Sequence, residues 1–267
     1  MRPEIVTGIG IEGEAMATLA VVILTKNEEK NIEACIKSAS FADDILVVDS
    51  GSEDRTEIIA KAAGARFILH PMGEDGFAGQ RNFALQQIYT DWVFYLDADE
   101  RITSEAAESI KKAIASGISC VYNIKRYQIV FGQKMRYGGH GPDMSLRLYP
   151  REAVHWQGIV HEQAKFGDLE VRLLDGILEH YTYTEWNAYY IKFNLYTTMM
   201  AEKMYNSGKR ASFVDIILHP VFAFIRFYFL QQGFREGKLG FIFAVNHMFY
   251  TMVKYLKLMY MDTSGKE

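Results

Sequence analysis

The sequence predicts an α/β fold with a Rossmann-like, mostly parallel sheet and a helical region at the C-terminus. Short apolar runs alternate with segments whose apolar residues recur at helical spacing, and the connections between them are short. This order is typical of βαβ units, in which right-handed crossovers join parallel strands. The 267 residues, of which 49% are hydrophobic, can form one large domain and a helical appendage.

Four apolar runs are predicted as strands, at residues 19–24, 45–48, 66–69 and 93–96. The first run is continuous, as expected for a strand that is buried on both faces. Helices are predicted between the strands, over residues 32–39, around 58–59 and over 83–88. Asp54 is placed to cap the second helix and Gly64 to end it. The carboxyl ends of the parallel strands should therefore meet at one edge of the sheet.

Three carboxylates follow the fourth predicted strand, at Asp97, Asp99 and Glu100. Ligands of open α/β sheets bind at the carboxyl ends of parallel strands, and Asp97 and Asp99 would project there from the same side of the chain. Their oxygen ligands suit Mg²⁺ or Mn²⁺. Taken alone, the pattern fits a solvated acidic turn at least as well, so the metal-site hypothesis depends on the other strand ends.

The turn after the first strand argues against a dinucleotide site. A pyrophosphate bound at a helix N-terminus requires a glycine-rich turn, but residues 25–29 contain two carboxylates and no glycine. Such a turn suits hydrogen bonds to a nucleoside. The diphosphate would then be neutralised by a cation at Asp97 and Asp99.

Four runs in order resemble glycosyltransferase family 2, and in particular its lipopolysaccharide-core β-glucosyltransferase branch. The runs lie at residues 22–29, 48–56, 79–85 and 96–100, and the resemblance extends from about residue 18 to about residue 260. It implies the A-type glycosyltransferase fold. It also implies a metal-dependent transfer from a nucleotide-diphosphate sugar, with inversion at the anomeric carbon.

The resemblance assigns roles to particular residues. The positions expected to bind the nucleotide sugar are Thr25, Asn27, Glu28, Asp49, Ser50, Gly51, Arg81 and Asp97. A divalent cation, Mn²⁺ or Mg²⁺, is expected at Asp97, Asp99 and His180. His180 follows the apolar run at residues 176–178, so we expect it at the end of a strand, and an imidazole ligand would favour Mn²⁺ slightly. Asn27 as a helix cap, Asp49 as a turn former and Arg81 as an exposed helix residue remain open as structural alternatives.

Direct displacement at the anomeric carbon needs a carboxylate that removes the proton of the acceptor hydroxyl. Glu162 lies where the family has its acidic base motif, and it is the first candidate; Asp143, in a glycine-rich loop, is the second. A surface loop acid is the structural alternative for Glu162. The expected donor is UDP-glucose, and the expected acceptor is a lipid-linked or lipopolysaccharide-core saccharide. Transfer to a polyprenyl phosphate, nucleotidyl transfer and a non-catalytic sugar-nucleotide sensor are the alternatives.

The C-terminal region has a different composition. Residues 203–257 contain eight Lys or Arg and two acids, a balance of +6 in a chain of net charge −4. Two apolar stretches, at residues 213–230 and 239–260, each place their few polar residues on one face of a helix. These features predict helices that lie in a membrane interface, on the cytoplasmic side, in a peripheral or monotopic protein. A packed helical subdomain or a dimer interface is the alternative.

The chain is therefore expected to have three segments. Residues 1–16 should be a disordered extension, 17–200 the nucleotide-sugar-binding catalytic domain and 201–267 the amphipathic helical region. The negative net charge argues against a nucleic-acid partner. Cys35 and Cys120 are expected to be free cytosolic thiols.

Overall fold

The computed structural model describes residues 17–158 and 162–261. Its strands are β1 (Leu19–Thr25), β2 (Asp44–Asp49), β3 (Arg66–Leu69), β4 (Trp92–Asp97), β5 (Glu100–Ile102), β6 (Val121–Val130), β7 (Gln133–Lys134), β8 (Asp143–Pro150), β9 (His155–Gln157), β10 (Gln163–Lys165) and β11 (Val171–Tyr183). Its α-helices are α1 (Ile32–Ser38), α2 (Thr56–Ala62), α3 (Gly76–Gln87), α4 (Ser104–Ala115), α5 (Trp186–Asn206), α6 (Phe213–Ile225) and α7 (Gly237–Tyr260). The expected extension at residues 1–16 lies outside the described part.

Within the described residues, nine strands form one mixed sheet in the order β3-β2-β1-β4-β8-β6-β11-β5, with β7 paired to β6. The first four neighbours are parallel, as the alternation of strands and helices predicts. Beyond β4 the sheet changes, because β8 runs antiparallel to both β4 and β6, and β5 runs antiparallel to β11. The predicted α/β class is confirmed, with its parallel half in the N-terminal part of the chain.

Strand β1 is at the centre of the parallel half, and all of its residues are buried. Successive side chains of a strand point to opposite faces, so both faces of β1 must be covered. Val21 and Ile23 pack in a cluster with residues of α1, α2 and α4 on one face. Val22 packs with residues of α3 and β9 on the other. This two-sided burial explains why the first run is continuously apolar.

The N-cap residue of α2 is Arg55 rather than the predicted Asp54, and the Arg55 side chain makes no capping bond, but Asp54 still bonds to the first turn of the helix. The Asp54 carboxylate accepts hydrogen bonds from the backbone N–H of Thr56, at 2.9 Å, and from that of Glu29, at 3.1 Å. Gly64, just past the end of α2, has φ of +89°, a conformation that glycine adopts without strain. Cys35 and Cys120 are both buried and free.

The C-terminal helices pack against the carboxyl ends of β6 and β11. Buried side chains from α5, α7 and the turn after α6 form a cluster with β6 and its following loop; its members are Val130, Met135, Tyr189, Phe227, Phe243 and Ala244. The expected domain boundary between residues 200 and 201 falls inside α5, which begins at Trp186. That division stays a prediction, although the helical structure starts before it.

Helix α6 exposes apolar side chains on its outward face, whereas a helix at a water-exposed surface usually carries polar side chains there. Its outward face carries Phe213, Val214, Leu218 and Phe222, which are each more than half exposed. On another face, the ring of His219 stacks on Tyr255 of α7 with 4.5 Å between centroids. Among the helices of the described residues, the segment Phe213–Leu230 is long and apolar enough to cross a membrane by length and composition. Contact with a membrane stays a prediction.

Candidate active site

The ends of the strands surround a cavity of about 610 Å³. Eight predicted site residues line it: Thr25, Glu28, Ser50, Arg81, Asp97, Asp99, Glu162 and His180. Residues that the sequence did not indicate also line it, and these include Phe77, Thr182, Tyr183, Lys192 and Tyr196. The carboxylates therefore share a space with two aromatic rings from β11 and α5 and with cationic side chains. This is a cavity that can enclose a polar, negatively charged ligand.

Asn27 and Asp49 hold the loops of the site in place. Asn27 has φ of +56°, its N–H donates to Ser52 Oγ at 2.7 Å, and its Oδ1 accepts from the N–H of Glu53 at 2.8 Å. Asp49 is 1% exposed, and its Oδ1 accepts from the N–H groups of Gly51 and Ser52 at 2.8 and 2.7 Å. Neither residue lines the cavity, so their direct contact with a nucleotide stays a prediction.

Glu28 reaches the cavity from the turn after β1. Its Oε2 accepts a hydrogen bond from Asn31 Nδ2 at 2.8 Å, and its N–H donates to Thr56 Oγ1 at 2.8 Å. Burial raises the pKa of Glu28 above its usual value, although the bond from Asn31 opposes this. A carboxylate at this position can accept hydrogen bonds from a nucleoside.

Asp97 and Glu100 are held by an arginine that the sequence did not indicate as a site residue. Arg147, from β8, donates from Nη2 to Asp97 Oδ2 at 2.8 Å and to Glu100 Oε1 at 2.6 Å. Glu100 Oε2 accepts from the N–H of Asp97 at 3.1 Å. Burial alone would raise the pKa of Asp97, but the charge and hydrogen bond of Arg147 hold it well below its usual range. Asp97 therefore carries a stable negative charge.

The strand that contains Arg147 offered a signal, because the run Leu146-Arg147-Leu148-Tyr149 places a charge among apolar residues. A charged side chain in a buried strand usually has a charged partner. Arg147 is 4% exposed and Glu100 is fully buried. The sequence does not show which carboxylate pairs with Arg147, because β8 is far from β4 in the chain and lies beside it only in the folded sheet.

Asp99 and His180 are neighbours, with 3.1 Å between Asp99 Oδ2 and His180 Nε2. The expectation that His180 ends a strand is wrong, because β11 continues to Tyr183 through pairing with β6, where His180 lies opposite Gln128. His180 Nδ1 is buried and has no hydrogen-bond partner among the described residues. The Asp99 backbone is fixed by its C=O, which accepts from the N–H of Tyr181 at 2.8 Å.

The side chains of Asp97, Asp99 and His180 offer oxygen and nitrogen ligands of the kinds that a divalent cation binds. Two ligands on adjacent corners of an octahedron with bonds of about 2.1 Å lie about 3.0 Å apart, close to the separation of Asp99 and His180. Within the described ranges, however, no three His, Cys, Asp or Glu side chains already surround a common point. Asp97 is drawn toward Arg147 instead. Asp99 and His180 form the better prepared part of the predicted set.

The two candidate bases have different surroundings. Glu162 lines the cavity, and its Oε1 lies 3.6 Å from Arg81 Nη2. Asp143 does not line it; both of its oxygens accept from Arg126, at 3.0 and 2.6 Å. These bonds hold the pKa of Asp143 below its usual value. A carboxylate engaged in this way is a weak proton acceptor, whereas Glu162 is within reach of a ligand.

Arg81 is a buried cation at the base of the cavity rather than an exposed helix residue. It is 7% exposed, and its guanidinium lies over the rings of Tyr95, at 5.0 Å, and Trp156, at 4.6 Å. The nearest oxygens of Asp97 and Glu162 are 3.8 and 3.6 Å from Nη2, which is too long for a hydrogen bond. Its donors are therefore available to an anionic ligand.

Acidic strand ends, the buried Arg81 and the Asp99–His180 pair surround one cavity, and this combination is chemically suited to a nucleotide-diphosphate ligand. The model of the family named Glycosyl transferase family 2 matches residues 20–168. The chain is 31% identical to the lipopolysaccharide core biosynthesis glycosyltransferase LpsC of Rhizobium meliloti, over 90% of this chain and 91% of that protein. It is 28% identical to a glycosyltransferase of Rickettsia typhi, over 91% of this chain and 87% of that one.

A solved structure of glucosyl-3-phosphoglycerate synthase from Mycobacterium tuberculosis, in complex with Mn²⁺, UDP and phosphoglyceric acid, is similar to 61% of this chain and 70% of its own. The identity is 19% and the TM-score 0.42. On the family model and the relatives, the chain belongs to glycosyltransferase family 2. It is a glycosyltransferase that uses a nucleotide sugar.

Proposed function

We propose that this enzyme transfers glucose from UDP-glucose to a hydroxyl of a lipopolysaccharide-core or lipid-linked saccharide, with inversion at the anomeric carbon. The observation that carries the proposal is the placement of Asp99, His180, Arg81 and Glu162 around one cavity. The name of the LpsC relative supports the class of acceptor. The glucosyl donor is proposed from the resemblance of residues 22–29, 48–56, 79–85 and 96–100, and each of these runs contributes at least one residue to the lining of the cavity.

Asp99 and His180, with Asp97, would hold a divalent cation against the donor diphosphate. When bound, the cation would supply Lewis-acid stabilisation of the leaving nucleoside diphosphate. Arg81 supports the same task, since its guanidinium has no hydrogen bond within the described residues and lies near Asp97 and Glu162. It would hold the diphosphate through charge-assisted hydrogen bonds.

Glu162 would act as the general base. The acceptor hydroxyl gives its proton to Glu162 while its oxygen forms a bond to the anomeric carbon. The bond between that carbon and the diphosphate oxygen breaks at the same time, and the electron pair leaves with the nucleoside diphosphate. Arg81 Nη2, at 3.6 Å, keeps the Glu162 carboxylate oriented without a tight hydrogen bond that would weaken it as a base.

The apolar outward face of α6 supports a location on a membrane surface, and we propose that this is the cytoplasmic face. Exposing Phe213, Leu218 and Phe222 to water is unfavourable by roughly 25 cal/mol per Å² of apolar surface, and a bilayer removes that cost. Lys209 and Arg210 lie a few residues before the helix and would contact anionic headgroups. A saccharide acceptor on a lipid would then be present at the membrane surface to which the enzyme is bound.

The experiment that tests the reaction combines binding and turnover. Melting of the full-length protein is followed with UDP-glucose, UDP-galactose, GDP-mannose and ADP-glucose, with and without Mn²⁺, because a ligand of the native state raises the midpoint. UDP release is then measured with core saccharides and with a polyprenyl phosphate as acceptors. The proposal predicts a shift by UDP-glucose that needs Mn²⁺ and turnover on the saccharide. Release of pyrophosphate, or turnover on the polyprenyl phosphate alone, would contradict it.

A further inference from the structure

Glu236 is a buried carboxylate immediately before α7, and its hydrogen-bond partners lie about a hundred residues earlier in the chain. It is 8% exposed. Its Oε1 accepts from the backbone N–H groups of Arg136 and Tyr137 at 2.7 and 2.8 Å, and its Oε2 accepts from Gln133 Nε2 at 2.8 Å. All three donors belong to residues 133–142, which we call the β7–β8 segment because it begins with β7 and leads into β8.

The β7–β8 segment also packs closely against the turn that follows α6. The N–H of Gly138 donates to the C=O of Gln231 at 2.8 Å. Gly138 and Gly139 lie directly on the buried ring of Phe227, and a Cβ atom added to either glycine would be 2.7 or 2.9 Å from the nearest ring carbon. Such an approach of backbone to a ring requires glycine. The segment is therefore fixed to the C-terminal helical region by hydrogen bonds and by close packing.

The same segment contacts Tyr183, an aromatic residue of the cavity at the strand ends. The ring of His140 lies 6.1 Å from that of Tyr183 and 4.8 Å from that of Phe243 in α7, close to perpendicular to both. The rings of Tyr183 and Phe243 are 6.2 Å apart. Edge-to-face contacts of this kind favour particular ring orientations. The Tyr183 ring is thus oriented by the β7–β8 segment on one side and by α7 on the other.

The carboxylate of Glu236 is well suited to hold this arrangement. A buried carboxylate is unfavourable unless it accepts hydrogen bonds, and N–H bonds to a charged oxygen are stronger than those to a neutral one. Loss of one partner would leave a buried polar group unsatisfied. The β7–β8 segment is therefore held in one position relative to α7, and a functional site needs its walls held to within roughly 0.5 Å.

We propose that Glu236 is a positioning residue of this glycosyltransferase, which fixes the Tyr183 wall of the cavity through the β7–β8 segment. The C-terminal helical region is then part of the structure that binds the substrate, in addition to its proposed contact with a membrane. The inference rests on the proposed function in that it takes this cavity as the binding site of UDP-glucose.

The test is a double-mutant cycle that measures the affinity of the full-length protein for UDP-glucose with Mn²⁺ by isothermal titration calorimetry. Glu236→Gln keeps the shape of the side chain but turns an NH₂ group toward one of the N–H donors. It should weaken binding on the order of tenfold. Tyr183→Ala should weaken binding as well. In the Tyr183→Ala background, Glu236→Gln should have little further effect, because the residue through which it acts is absent.

Two further variants separate positioning from a general loss of stability. Combining Gln133→Glu with Glu236→Gln exchanges donor and acceptor, so the affinity for UDP-glucose should recover. Glu202→Gln, at an exposed glutamate of α5 that does not line the cavity, is the control and should bind UDP-glucose normally. If Glu236→Gln does not fold, Gln133→Met replaces it in the cycle, since this change removes only one of the three donors.

Losses of affinity that simply add in the cycle overturn the inference, and so does normal binding by Tyr183→Ala. In both cases UDP-glucose still binds to the unaltered protein, and the nucleotide-sugar reaction stands. Failure of the unaltered protein to bind UDP-glucose is a different result, because it contradicts the proposed donor and this role of Glu236 together.

Discussion

Asp97 and Asp99 are two residues apart, yet their side chains have different partners. Asp97 is bonded to Arg147 at 2.8 Å, whereas Asp99 lies 3.1 Å from His180. The sequence placed both carboxylates at the end of β4 but could not separate them, since Arg147 and His180 are distant in the chain. At this scale Asp99 is the residue better prepared to bind a metal.

We expect Asp99→Asn to lower turnover on the order of a hundredfold or more, because the amide weakens the site that neutralises the diphosphate. Mn²⁺ affinity, measured by electron paramagnetic resonance, should fall with it. The melting midpoint without metal should change little, since the backbone C=O of Asp99 keeps its bond from Tyr181.

Asp175→Asn is the control for Asp99→Asn, since this exposed carboxylate lies on β11 with His180 but outside the cavity. It should leave both turnover and Mn²⁺ affinity unchanged. Normal turnover of the unaltered protein in EDTA would show that Asp99 does not act through a metal.

Among the elements, β8 is the one that completes the site. It lies between β4 and β6 and is antiparallel to both, and this brings Arg147 to Asp97 and Glu100. The parallel strands could be predicted because each is a continuous apolar run, buried on two faces. The position of β8, and the short strand β5 directly after Asp99, could not, because pairing partners far away in sequence determine them.

Arg147→Met should destabilise the protein by about 3 kcal/mol, because it leaves the fully buried Glu100 without one of its two arginines. The free energy of unfolding from urea titration at pH 7 measures this. Arg66→Met breaks an ion pair with Asp44 in which the arginine is about half exposed, and it should cost less than about 1 kcal/mol. Equal losses for the two variants would mean that Arg147 is not an essential partner of the buried carboxyl.

At the scale of the whole molecule, the basic excess and the exposed apolar side chains of α6 both lie in the C-terminal helical region. The basic excess of residues 203–257 was evident from the sequence, as was the apolar character of residues 213–230. The sequence could not tell whether the apolar face of α6 is buried on a neighbour. The structure shows Phe213, Leu218 and Phe222 facing outward, while His219 stacks on Tyr255. That orientation distinguishes α6 from an ordinary core helix.

We predict that the full-length protein sediments with anionic vesicles and is only partly released by high salt. Salt screens the attraction of Lys209 and Arg210 to headgroups but does not weaken burial of Leu218 and Phe222. The double substitution Leu218→Glu and Phe222→Glu should abolish most vesicle binding without affecting UDP-glucose binding. Ile58→Glu, at a residue on α2 that is 65% exposed, is the control and should bind vesicles normally.

Protein that stays in the supernatant with anionic vesicles at low salt would exclude the membrane surface. The outward face of α6 would then be explained by a dimer interface. Sedimentation equilibrium at several protein concentrations would detect such a dimer.

The measurement that tests the central claim most directly is the effect of Glu162→Gln on UDP release from UDP-glucose with a core saccharide as acceptor. Glutamine keeps the shape of the side chain but cannot accept the proton, so kcat should fall by a factor on the order of a hundred to ten thousand. UDP-glucose affinity should remain close to that of the unaltered protein. Asp143→Asn should keep most of its activity, because Asp143 is bonded to Arg126 outside the cavity. An active Glu162→Gln enzyme together with an inactive Asp143→Asn enzyme would contradict the assignment of the base.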